Sequence, residues 1–203
     1  MNKRLSLLTA ALLLTGASSA FAASSTDLTV TGLITPVACT PTLSSNSIDL
    51  GKISVKDLKP NNPTLIDKRT LSMSVNCDST IRLALNAIDN RAGSAFGSGF
   101  GLGLINGTQK LGQFQLTILN PMADGVQAQS IASYDGNNWF KEPFWDAGMY
   151  MSVGSMADAS QPIAVKDLVL DLQVSTQIAR TDGLDLSNEV PIDGSATLEV
   201  KYL

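Results

Sequence analysis

The chain has 203 residues, 44% of them hydrophobic, and a formal net charge of −4 at pH 7. This mildly negative charge argues against a protein that binds nucleic acid or an anionic membrane surface. The sequence contains no histidine, so Ser-His-Asp and Cys-His catalytic arrangements are excluded, as is an imidazole base. Metal ligation would depend on carboxylates alone, and we expect neither an enzyme nor a metal or cofactor site.

The N-terminus has the organisation of a secretory signal peptide over residues 1–22. Basic residues at positions 3 and 4 precede an apolar run over residues 5–14, and an Ala-Phe-Ala sequence ends at Ala22. A membrane anchor is the alternative, but an anchor needs about 20 apolar residues and this run is shorter. We therefore predict cleavage before Ala23 and export, with residues 23–203 forming one domain.

A strand is predicted soon after the cleavage site, within a donor-like segment at about residues 26–38. The stretch is rich in β-branched residues and alternates in polarity, which favours a strand. Its apolar face consists of Leu28, Val30, Gly32 and Ile34. A strand at a free N-terminus need not pair within its own molecule and can be donated to another one.

Cys39 and Cys77 are the only cysteines in the chain. In an exported protein an even number of cysteines predicts a disulfide. On the chain-entropy model, a bridge closing a loop of this length contributes about 4 kcal/mol. Two free thiols or a metal-binding pair are the alternatives.

Alternating segments follow along the chain at nearly regular spacing. They predict strands at residues 48–53, 70–77, 81–87, 114–118, 149–153, 165–178 and 196–202, with loops at 40–47 and 56–63. In the first of these strands, Ile48, Leu50 and Ile53 are expected to point inward. Short strands spaced in this way are typical of an all-β sandwich or barrel.

Several of these features occur together in one order. A strand with an inward glycine leads to Cys39, which is followed by Thr40, Asn46 and Ile48-Asp49-Leu50-Gly51. A later strand ends with Val75-Asn76-Cys77, and the penultimate residue of the chain is Tyr202. Behind a signal peptide, this order resembles subunits of chaperone–usher fimbriae. The whole-chain pattern, including Gly101-Leu102-Gly103-Leu104 and the ending from Gly194 to Leu203, is more similar to the uncharacterised domain of unknown function 1120 family.

The fimbrial resemblance implies an immunoglobulin-like β-sandwich that lacks its final strand. A periplasmic chaperone would first fill the hydrophobic groove left beside the C-terminal strand, and the N-terminal strand of the next subunit would then replace it. One edge of the groove would be formed by Ala196, Leu198, Val200 and Tyr202. The carboxylate of Leu203 would be gripped by basic residues of the chaperone, and an outer-membrane usher would be a further partner.

The region 90–161 fits the fimbrial pattern poorly. Its glycine cluster at residues 93–103 lacks the Lys-Ser or Lys-Thr that follows the glycines of a phosphate-binding loop. A flexible or bulged segment that leads into a strand is therefore the better interpretation. Carboxylates at Asp124, Asp135, Glu142 and Asp146 could in principle cleave glycosides as a pair, but solvated charges are the simpler interpretation.

An aromatic patch occupies the loop 134–150. Its members are Trp139, Phe140, Phe144, Trp145 and Tyr150. Exposed aromatics could stack on a carbohydrate or anchor a protein partner, with Trp139 and Trp145 as candidate ligand contacts. The favoured interpretation is that such residues plug the open end of the sandwich.

Together these features favour a structural, fimbrial-type subunit with a role in cell adhesion, assembled by strand donation. It would be exported through the periplasm to the surface of a Gram-negative bacterium. The alternatives are a ligand-binding tip adhesin that uses the aromatic loop, and a stand-alone periplasmic or secreted protein that folds its own N-terminal strand back.

Overall fold

The computed structural model describes Thr29 and residues 38–203. The predicted signal peptide therefore lies outside the described residues. So does the predicted donor face at Leu28, Val30, Gly32 and Ile34. No helix in the described part of the chain is long and apolar enough to cross a membrane.

Strands make up the regular structure of residues 38–203, apart from short 3-10 helices at Val55–Asp57 and Thr181–Gly183. In chain order the strands are β1 (Cys39–Leu43), β2 (Thr64–Ile81), β3 (Leu83–Asp89), β4 (Phe100–Gly101), β5 (Leu104–Ile105), β6 (Gln109–Lys110), β7 (Gly112–Ala123), β8 (Val126–Gln127), β9 (Gln129–Ser133), β10 (Phe140–Lys141), β11 (Phe144–Trp145), β12 (Tyr150–Gly154), β13 (Val165–Ile178) and β14 (Ala196–Tyr202). The all-β prediction is confirmed.

Two antiparallel sheets form a sandwich. The first sheet has the order β1-β2-β13-β7-β11, with β4 and β8 also pairing with β7. The second sheet has the order β10-β9-β12-β3-β14, and β5 and β6 form a separate hairpin. The predicted β-sandwich is confirmed, with β1 and β14 as the edge strands on one side.

The core is built on the longest alternating run of the sequence, which becomes β13. Its inward residues Leu168, Leu170 and Leu172 are almost fully buried. Each lies directly opposite an apolar residue of β2, and Leu168 faces Val75. Because side chains alternate between faces with a period of two, this register places both apolar rows in the interior.

The disulfide joins two edge-side strands of the first sheet. Cys39 and Cys77 lie directly opposite each other where β1 pairs with β2, and their sulfurs are bonded. The predicted disulfide is confirmed, and the free-thiol and metal-pair alternatives are wrong. The loop predicted at residues 40–47 is wrong over its first half, because the ladder continues to Leu43 opposite Met73.

The glycine cluster forms a close crossing from the second sheet to the first. At Gly99 an added Cβ would lie 2.6 Å from the carbonyl oxygen of Phe114 on β7. At Gly101 it would lie 2.7 Å from the carbonyl oxygen of Arg91. Side chains would be excluded there, because backbones approach too closely.

Candidate functional site

A groove of about 1070 Å³ opens between the free edges of the two sheets. Its floor is made of inward residues of the first sheet, which are Leu71, Phe114, Leu116, Leu172 and Val174. One wall is β14, and the opposite wall is the segment 45–53, which we call the strap. The groove is therefore an apolar channel at the point where the sandwich is not closed.

The β14 wall presents backbone groups to the groove. The Asn90 amide donates to the Ser195 carbonyl at 3.0 Å, and the Leu203 amide donates to the Arg82 carbonyl at 3.1 Å. In an antiparallel ladder these bonds direct the odd-numbered backbone groups of β14 toward β3. The even-numbered groups, from Ala196 to Tyr202, therefore point to the other edge, where the described residues provide no partner strand.

The strap is extended but unpaired. It forms no backbone-to-backbone hydrogen bond with the rest of the part that the structure describes. The inward orientation predicted for Ile48, Leu50 and Ile53 is confirmed, since all three are half-buried and line the groove. The strand predicted there is wrong, because β1 ends at Leu43 and no described strand lies beside the strap. Gly51, with a φ of +63°, shifts the alternation between Leu50 and Ile53.

One polar contact lies at each end of the groove. At one end the Cys39 amide donates to the Tyr202 hydroxyl at 3.0 Å. At the other end the Lys52 ammonium lies 3.2 Å from the Glu189 carboxylate.

The predicted groove residues lie along one row but not all line the cavity. Ala196 and Leu198 line it. Val200 packs against the main core, and Tyr202 closes the end of the groove through its hydroxyl. Leu203 is half-exposed, and its amide donates to the carbonyl of Arg82, the residue before β3.

Sequence reasoning missed the far half of the groove. There the lining comes from Leu102, Leu111, Ile178, Leu186, Val190 and Ile192, which belong to or surround a second apolar cluster. One signal was available, because the even-numbered row of β14 continues backwards through Gly194 to Val190. The packing of the β5–β6 hairpin region against this row has no local sequence signal.

The aromatic patch divides into core and surface residues. Trp145 is 1% exposed and its indole N–H donates to the Met149 carbonyl at 2.9 Å. Its prediction as a ligand contact is therefore wrong, and it plugs the core instead. Trp139 is half-buried. The residues that reach solvent are different ones: Tyr134 is 70% exposed, and its ring lies 5.9 Å from that of Phe140.

The four carboxylates that the sequence offered as possible glycosidase residues stabilise turns and loops. The Asp135 carboxylate accepts bonds from the amides of Asn138 and Asn137 and from the side chains of Asn138 and Ser133. These bonds hold its pKa well below its usual range. Asp124, Glu142 and Asp146 accept hydrogen bonds from the Lys166 and Asp167 amides, the Phe144 amide and the Ser98 hydroxyl, respectively. The general acid of a glycosidase needs a carboxyl group whose pKa is raised, whereas the pKa of Asp135 is lowered.

Comparison with known proteins finds a family model that matches part of the chain. The family model DUF1120, described as a protein of unknown function, matches residues 28–101. The resemblance to this family is thereby confirmed over that stretch, which reaches from the donor-like segment to β4. The chain is also similar to the uncharacterized protein YhcF of Escherichia coli (strain K12). The two are 27% identical over 227 aligned positions, which cover 92% of this chain and 94% of YhcF.

Proposed function

We propose that this protein is a structural subunit of a fimbria-like fibre, assembled by strand donation between copies. The observation that carries the proposal is the apolar groove between two unpaired backbone edges. It is the site that an added strand requires, because main-chain hydrogen bonds supply affinity and alternate side chains supply register.

The occupant of the groove is the segment 28–34 of a second copy. Leu28, Val30 and Ile34 share one face with Gly32 between them. Burying each large side chain on the apolar floor contributes about 1.5–3 kcal/mol.

The start of the described domain favours a second copy over self-insertion. Asp78 donates its amide to the Ala38 carbonyl at 2.9 Å, which extends the β1 ladder past Cys39 and away from the groove. A segment preceding Ala38 therefore begins at the end that Tyr202 closes. It would have to turn back over this contact to enter its own groove, whereas a strand from another molecule needs no such turn.

The partners and location follow from the fimbrial resemblance. A periplasmic chaperone would protect the groove before assembly, an outer-membrane usher would handle the subunits, and neighbouring subunits would fill the groove. The protein would pass through the periplasm to the cell surface and contribute to adhesion without enzymatic activity.

A second candidate is a tip adhesin that binds carbohydrate through the aromatic loop. The exposed pair Tyr134 and Phe140 and the 58% exposed Phe144 favour it. Sugar rings stack on such faces. In this version the ligand contacts are these three residues, together with the half-buried Trp139 but not the buried Trp145.

Size distribution of the exported full-length protein tests the main proposal. We expect a ladder of oligomers on an unheated gel and by size-exclusion chromatography with light scattering. When two differently tagged copies are produced together, purification through one tag should also recover the copy that carries the other tag. Donation between copies would be contradicted if the protein stayed monomeric at every concentration, whether or not a periplasmic chaperone was present.

A further inference from the structure

We propose that the strap, residues 45–53, is a movable wall whose opening admits the incoming strand and limits the rate of its entry. This inference rests on the proposed function, since it concerns how the same groove is filled. The proposal follows from how each wall is held and from the contacts at the two ends of the groove.

Lengthwise entry into the groove is obstructed at both ends. At one end the hydrogen bond between Cys39 and Tyr202 joins β1 to β14, and at the other end the ion pair between Lys52 and Glu189 joins the strap to the loop that precedes β14. A strand with bulky side chains cannot thread past these contacts while they persist. It must enter from the side, and one wall has to move to expose the floor.

The β14 wall is fixed. All seven of its residues, from Ala196 to Tyr202, are in register with β3, from Asp89 to Leu83. Further backbone bonds at Ser195 and Leu203 extend this ladder beyond both ends of the strand. Moving β14 would break the second sheet.

The strap is held by two side-chain tethers. The Arg69 guanidinium donates to the Asp49 carbonyl at 3.0 Å, and Lys52 pairs with Glu189. The strap is anchored before its first residue by the bond from the Ser44 amide to the Ser72 carbonyl, and after its last residue by the turn at Ser54. These fixed points define the ends of a segment that can swing as a unit.

Both tethers lie at the surface and can be released at little cost, since the Arg69 side chain is 48% exposed. Lys52 and Glu189 have side chains that are each 93% exposed, so water replaces their interaction readily. The inner face of the strap supplies the opposing force, because Ile48, Leu50 and Ile53 lie against the apolar groove. Apolar contact therefore closes the strap, and the charged tethers determine how often it opens.

The test measures how fast a fluorescent peptide of residues 26–37 enters the groove of the exported full-length protein carrying Gly32→Leu, in which the groove should be free because strand donation between copies is blocked. In this assay "wild type" denotes that protein with an unchanged strap. Lys52→Glu places two negative groups together and should raise the entry rate about two- to fivefold, the range expected for an exposed pair. The exchanged pair Lys52→Glu with Glu189→Lys should return the rate to that of the wild type. Lys56→Glu makes the same charge change outside the strap and should leave the rate unchanged.

A second measurement distinguishes opening of the strap from unfolding of the whole domain. Amide hydrogen exchange in residues 46–53 should be faster in Lys52→Glu than in the wild type, while exchange in β13 stays the same. Wild-type uptake with no acceleration in Lys52→Glu would overturn the movable wall and leave strand donation intact. Failure of the wild type to take up the peptide would overturn the proposed function and this inference with it.

Discussion

The backbone amide of Cys39 donates a hydrogen bond to the hydroxyl of Tyr202, 163 positions later in the chain. This bond joins the first described strand to the last, one from each sheet, beside the disulfide between Cys39 and Cys77. Beyond it the two strands diverge and the groove opens. The penultimate tyrosine therefore closes the sandwich at one end, which is a role that alternation alone does not reveal.

Tyr202→Phe removes this hydroxyl and leaves the Cys39 amide without its partner. We expect a loss of about 0.5–1.5 kcal/mol in the free energy of unfolding, measured by denaturant titration. Tyr134→Phe is the matched control, because Tyr134 is 70% exposed, and it should unfold like the wild type. Equal stability of the Tyr202 variant and the control would mean that the bond contributes nothing.

Replacement of Cys77 by alanine should cost about 2–5 kcal/mol, since it frees the loop between β1 and β2 in the unfolded chain. The wild type, denatured without reductant, should show no reactive thiol in a thiol titration. Detection of two reactive thiols would contradict the disulfide.

Trp145→Ala should cost about 3–5 kcal/mol, because it empties a fully buried site and leaves the Met149 carbonyl unpaired. Phe144→Ala is the control at the next position, where the ring faces solvent, and should change stability little. Thermal and denaturant melts of both variants provide the comparison. Unchanged melting of Trp145→Ala would place this indole outside the core.

Asp135 provides a prediction about pH. Its folded-state pKa lies below the unfolded value of about 3.9, so the ionised carboxylate stabilises the folded loop. That contribution is present above the unfolded pKa and is lost as the pH falls toward the folded pKa. Asp135→Asn should therefore melt below the wild type at pH 7, and the difference should shrink from about pH 4 downward. A difference independent of pH would contradict the role of the charge.

Residues with strict alternation were predicted correctly because burial of one strand face is encoded locally. Leu168 to Val174 belong to this class, whereas the disulfide was predicted from two cysteines in a chain expected to be exported. Trp145 and Phe144 could not be separated in the same way, since adjacent aromatics point to opposite faces and only the pairing of β11 with β7 decides which is buried. The strap illustrates another limit. Its inward residues were predicted correctly, but its lack of a partner strand depends on where β1 leaves β2.

The central claim is that residues 28–34 of one copy fill the groove of another, and Gly32 tests it most directly. Gly32→Leu adds a large side chain to the face that would enter the groove. Thr31→Leu adds the same side chain to the opposite face of the predicted strand and serves as the matched control.

The deciding measurement is the oligomer distribution of the exported wild type and of these two variants, by size-exclusion chromatography with light scattering and on unheated gels. We predict a ladder of oligomers for the wild type and Thr31→Leu, and a cooperatively melting monomer for Gly32→Leu. A monomeric wild type, together with a Gly32→Leu variant that loses stability, would show that the strand belongs to its own molecule and would contradict assembly by donation.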